Sequence, residues 1–133
     1  MAAGKYSFVI EQGATIDFEL IYNDSNGNPV NLTDQRARMQ IRPTIGSDTV
    51  YLTLSSSLQP DGTGLNMSGS SGTTPPESGS IGIFISYLTS SELDFTQGYY
   101  DLEIASGVGV DTRVTRVLEG VIQLSKNVTT GSF

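Results

Sequence analysis

The chain has 133 residues, 14 acidic and 7 basic side chains, a formal net charge of -7, and no cysteine, histidine or tryptophan. That composition excludes disulfides, thiol nucleophiles and zinc-thiolate sites, and it removes the commonest general base and transition-metal ligand. A surface of this sign repels phosphate backbones, which argues against nucleic acid as a partner.

The elements follow from the pattern of apolar residues. KYSFVIE (residues 5–11) reads as a first strand, closed by a turn at Gln12-Gly13. TIDFELIY then alternates with period two, setting Ile16, Phe18, Leu20 and Tyr22 on one face and Asp17 and Glu19 on the other. NDSNGNPV is dense in turn formers. The strand of residues 35–42 points Ala37, Met39 and Ile41 one way and Arg36, Arg38, Gln40 and Arg42 the other, and Pro43 stops it. DTVYLTL (48–54) is the next predicted strand, with Val50, Leu52 and Leu54 on a shared face.

Residues 55–79 are rich in Ser, Gly, Thr and Pro, too many for a plain hairpin loop. A short strand is predicted near Leu65–Met67 and a mobile tip at SGSSGTTPPESG. SIGIFIS (80–86) is a strand with Ile81, Ile83 and Ile85 together. Thr89-Ser90-Ser91-Glu92 has capping-box spacing and predicts a helix of one or two turns before Gly98. YYDLEIA (99–105) and RVTRVLEGVIQLS (113–125) close the series, with a bulge expected near Glu119-Gly120. No repeat or boundary interrupts residues 1–133. The expectation is a single all-β domain, an antiparallel sandwich of about seven strands with one short helix.

The chemistry is sparse. Asp24, Asn26 and Asn28 alternate like calcium ligands. Counted from Asp24, however, the glycine falls fourth and the twelfth residue is Gln35 instead of glutamate, so Asn26-Gly27 reads as a hairpin turn and no metal site is predicted. Arg36, Arg38 and Arg42 share one strand face. They suit a carboxylate or phosphate, cross-strand pairing with acids such as Asp17 and Glu19, or salt bridges to another subunit. The carboxylate pairs Asp101/Glu103 and Asp17/Glu19 read as solvated faces, because nothing suggests a glycosidase cleft around them. Six tyrosines suit either strands or a binding surface, and Tyr99 and Tyr100 cannot both face the core. Three Asn-x-Ser/Thr matches, at Asn31, Asn66 and Asn127, read as accidental without a secretory signal. No nucleophile has a base within reach of the pattern. The chain therefore reads as a non-enzyme without catalytic residues or cofactor, made in the cytoplasm and outside the membrane.

Three segments resemble virion proteins of tailed bacteriophages when taken together. FVIEQGATIDFELIYNDSNGNPVNLTDQRARMQIR is similar to an EQGA turn, an alternating strand, a D-x-x-G-x-P-[IV]-[DN]-L-T hairpin and an A-R-M-x-[IV]-R strand. SGSIGIFISYLTSSELDFTQGYYDLEI and VTRVLEGVIQLSKNVT resemble the next part and the close, in the same order. Residues 55–79 have no counterpart. The resemblance, nearest to the N-terminal domains of phage baseplate upper proteins, implies a small immunoglobulin-like sandwich in the virion. It also implies that other virion proteins of the tail, baseplate or capsid are the partners, in a multi-copy symmetric assembly.

The chain stops soon after the last matching segment, so a free-standing subunit is expected. A tail or baseplate adaptor is the first reading and a capsid decoration protein the second. A host-surface carbohydrate-binding domain is a third, of another class, which the lack of tryptophan and histidine disfavours. Arg36, Arg38, Arg42 and Tyr99 are the candidate partner-binding residues. The polar ends AAGK and KNVTTGSF are expected to lie along a neighbour.

Overall fold

A computed structural model describes residues 3–130. Nine strands, β1 (Gly4–Lys5), β2 (Phe8–Glu11), β3 (Ile16–Ile21), β4 (Arg36–Arg42), β5 (Leu52–Ser55), β6 (Gly64–Asn66), β7 (Ser80–Ile85), β8 (Gln97–Ser106) and β9 (Arg113–Ser125), form two sheets. The large sheet runs β1-β9-β8-β4-β5, with β2 also paired to β9; the small sheet runs β3-β7-β6. A five-residue helix, α1 (Tyr87–Ser91), and two short 3-10 turns complete the set. Of the polar ends expected to lie along a neighbour, Gly4–Lys5 instead pairs with β9 as β1 and Lys126 donates to Asp94 at 2.9 Å, while residues 1–2 and 131–133 fall outside the described residues.

The period-two segments place their apolar residues as the alternation predicts. Met39 and Ile41 from β4, Ile81, Ile83 and Ile85 from β7, and Leu102 and Ile122 from β8 and β9 are all but fully buried in one cluster that joins both sheets. Each such side chain contributes about 1.5–3 kcal/mol on leaving water. Tyr100 points into this core and Tyr99 out of it, as one strand requires. Tyr6, Phe8, Phe18 and Tyr100 pack in stacked, tilted and edge-to-face pairs, with centroids 5.2–6.2 Å apart.

The all-β class stands, but several details depart from the sequence reading. The sheets are not wholly antiparallel: β1 and β2 both run parallel to β9, and the single predicted first strand breaks at Tyr6-Ser7. Gly120 explains the break. A Cβ there would lie 2.0 Å from the Tyr6 carbonyl oxygen, so the chain crosses directly over the glycine. The bulge falls slightly earlier than expected. It lies where Leu102 pairs Leu118 and Glu103 pairs Arg116, leaving Val117 as the extra residue.

The Asn26-Gly27 turn exists, with Gly27 at φ 81 and the Gly27 amide donating to the Asp24 carbonyl at 3.0 Å. It does not join paired strands. After the isolated bridge Asn23–Pro29 the chain leaves β3 and crosses to β4 in the other sheet. The predicted strand 48–54 starts only at Leu52 and Val50 is exposed, because its partner β4 ends at Arg42 and leaves residues 48–50 nothing to pair with.

The predicted capping box gives way to an earlier cap. Ser86 is the N-cap and its hydroxyl accepts from the Thr89 amide at 3.2 Å, so the helix starts at Tyr87 and Thr89 lies inside it. The expected mobile tip is tied across the outside of the small sheet. Glu19 accepts from the Ser70 amide at 3.0 Å, Leu32 N donates to Pro76 O at 2.9 Å, and residues 69–70 lie directly on Gly82.

Candidate functional site

The outer face of the large sheet gathers the candidate residues. Alternation turns Arg36, Arg38, Gln40 and Arg42 of β4 to the same side, together with Tyr99, Asp101 and Glu103 of β8. Arg42 sits directly opposite Tyr99, and Tyr99 opposite Val121 of β9. All four predicted partner-binding residues therefore share one surface.

The arginines do not pair with Asp17 and Glu19, as one sequence reading had it. Those acids lie on β3 in the other sheet, and Glu19 holds the 69–70 loop. The acids that reach the face are Asp101, Glu103 and Glu119. Arg38 Nε donates to Glu103 Oε1 at 2.8 Å, a cross-strand pair in register. Arg116 lies 3.2 Å from Asp101 and 3.6 Å from Glu119, and Lys5 donates to Glu119. Exposed pairs of this kind contribute about 0–1 kcal/mol each, so they order the face more than they stabilise the fold.

Among the described residues, two arginines of this face have no acid within ion-pair distance. Arg36 donates to the Gly107 carbonyl at 2.9 Å, and Arg42 donates to the Ser47 carbonyl and to Gln40 Oε1. Between Arg42 and the Lys5–Glu119–Arg116–Asp101 chain lies a depression of about 270 Å³. Tyr99 and Val121 line it, and Ile45, 88% exposed, stands on its rim. Burial raises the Asp101 carboxyl above its ordinary 3.8, and Arg116 offsets only part of that effect. The hydrogen bond from Lys5 holds Glu119 below its ordinary value.

The face is charged against the rest of the molecule. Lys5, Arg36, Arg38, Arg42 and Arg116 set against Asp101, Glu103 and Glu119 give +2, in a chain of -7. The remaining surface therefore carries -9. Such a contrast makes the molecule electrostatically two-sided.

No protein-family model and no curated protein matches this chain.

Sequence reasoning missed Lys5, Ile45, Arg116 and Val121. For Arg116 a signal was present: the adjacent apolar residues Val117-Leu118 interrupt an alternating strand and mark the bulge that turns Arg116 outward. Lys5 has no such signal, because its position follows from the parallel pairing of β1. A second concavity, of about 800 Å³, lies at the far end of the sandwich between the 11–14 turn, α1 and the segment after β9. It is wide and mixed in character. Among the described residues no group of three or more acids could hold a metal ion, and no helix is long and apolar enough to cross a membrane.

Proposed function

We propose that the protein is a non-enzymatic structural subunit of a tailed-phage virion, an adaptor of the tail or baseplate. On this reading it binds neighbouring virion subunits through the outer face of its large sheet. The carrying observation is that face: Arg36, Arg38, Arg42 and Tyr99 on one side, at +2 within a chain of -7.

The ordered resemblance of three segments to phage virion proteins supports the reading. So does the strand order. A small sheet β3-β7-β6 against a large sheet containing β9-β8-β4-β5 follows the Greek-key arrangement of immunoglobulin-like sandwiches, with the first strand transferred to the large sheet. We read the domain as immunoglobulin-like on that basis. A sheet face ordered by ion pairs is a rigid platform, and repetition of one subunit by symmetry multiplies a modest interface through avidity.

Quantitative mass spectrometry of purified particles tests the proposal. The chain is expected in the particles at a copy number matching tail or baseplate components. A copy number matching the shell subunits would move it to capsid decoration, and absence from particles would overturn the reading.

A further inference from the structure

Among the described residues Arg42, like Arg36 and unlike Arg38, Arg116 and Lys5, carries no ion pair on the face, and of the two it is the one that lines the depression. Its two terminal nitrogens donate to neutral acceptors, the Ser47 carbonyl and Gln40 Oε1. Those bonds fix the guanidinium plane without cancelling its charge. A guanidinium has five N–H donors, so about three stay available.

The Ser47 carbonyl is itself held, because residues 44–47 close a turn through Ser47 N to Thr44 O at 3.1 Å. Gln40 is flanked by Thr53, 3.5 Å from its amide nitrogen. The cation is thus oriented before any partner arrives, which lowers the ordering cost of binding. Around it stand the Tyr99 ring, Val121 and the exposed Ile45, at the edge of the 270 Å³ depression.

We propose that this depression is a carboxylate receptor: Arg42 takes the side chain of one aspartate or glutamate from a neighbouring protein subunit, and Tyr99, Ile45 and Val121 take the apolar residue beside it. The proposal rests on the partner-binding reading of this face and names the chemistry of the partner. A single carboxylate fits better than a phosphate. Asp101 and Glu119 line the same depression, and a doubly charged group would meet both. The cations beside those acids, Arg116 and Lys5, are engaged with them, which leaves Arg42 as the receptor. Its planar fork matches a carboxylate in two-point geometry, which a lysine at this position could not reproduce.

An isosteric peptide pair tests this. The 15N-labelled full chain is titrated with the blocked tripeptides Leu-Glu-Leu and Leu-Gln-Leu at millimolar concentration, followed by amide and arginine Nε–H resonances. The glutamate peptide is expected to shift Arg42 Nε, Ile45, Tyr99 and Val121 in a saturable way, and the glutamine peptide is not. Arg42→Gln should weaken binding about tenfold or more, because it removes the charge that strengthens both hydrogen bonds to the carboxylate. Arg42→Lys should weaken it less, and it serves where the glutamine variant disturbs the 43–48 loop. Arg113→Gln, away from the depression, should bind as the parent.

Equal shifts from both peptides, saturable shifts centred elsewhere, no saturable shift from either, or full binding by both Arg42 variants would each overturn the proposal. Those results would leave the presence of the chain in particles untouched. Absence from particles would in turn leave a positive titration standing, so the two failures are distinguishable.

Discussion

Replacing Gly120 with alanine puts a Cβ 2.0 Å from the Tyr6 carbonyl oxygen and 2.7 Å from its carbon. Both are backbone atoms, so the N-terminal strand must move instead of a side chain. Three hydrogen bonds depend on its place: Tyr6 N to Glu119 O at 2.9 Å, Val121 N to Ser7 Oγ at 3.1 Å, and Tyr100 Oη to Tyr6 O at 2.6 Å. The first two are worth about 1 kcal/mol each, and the third leaves a phenol only 5% exposed without its acceptor, for about 1–3 kcal/mol. Alanine returns about 0.4–1 kcal/mol by restricting the unfolded chain. The net loss is about 2–5 kcal/mol.

Urea unfolding followed by circular dichroism measures it. Hydrogen exchange should show the Tyr6 amide losing protection while β7 amides keep theirs. Tyr100→Phe, which removes only the phenol bond, should cost about 1 kcal/mol. A loss under about 1 kcal/mol for the alanine variant, with Tyr6 still protected, would refute the claim that this glycine exists for close approach.

Gly27→Val should cost about 1 kcal/mol or more by urea unfolding, from φ 81 alone, since nothing lies within 4 Å of the added Cβ. Millimolar calcium should leave the melting temperature unchanged, because Asp24 Oδ1 already accepts from the Asn26 and Asn28 amides; a rise of several degrees would reverse the turn reading. Asp61 is held well below its ordinary 3.8 by hydrogen bonds from Ser86, the Thr63 amide and Thr89, so its contribution is present above about pH 4 and is lost as pH falls from there. Unfolding midpoints of Asp61→Asn should therefore fall less steeply than the parent's on acidification below that pH. Arg38→Glu sets like charges opposite each other at Glu103 for a cost of about 1 kcal/mol or less, so it should fold yet fail to enter particles.

The parts of the fold set by local pattern were readable from the sequence. Period-two alternation placed Ala37, Met39 and Ile41 inside and the arginines of β4 outside, and it set the three isoleucines of β7 in the core. Pairing between distant segments was not readable. Nothing in KYSFVIE announces a parallel partner, and nothing in TIDFELIY says that its neighbour is β7 instead of the arginine strand. For the same reason Asp17 and Glu19 are the acids the pattern offers to the arginines, when the one acid that meets an arginine of β4 among the described residues is Glu103 of β8, on Arg38. The composition of residues 68–79 suggested freedom, but bonds to Glu19 and Leu32, separated by dozens of residues, carry no local signature. At the site, one strand face was legible and the surface formed by three strands together was not.

Hydroxyl-radical footprinting of the protein in intact particles, compared with the free chain, bears most directly on the claim that the outer face of the large sheet does the binding. Tyr99 and Ile45 should lose reactivity in the particle, while exposed Ile21 on the small sheet keeps its own. Unchanged reactivity at Tyr99 and Ile45, with protection appearing at Ile21 instead, would place the contact on the opposite side and contradict the account.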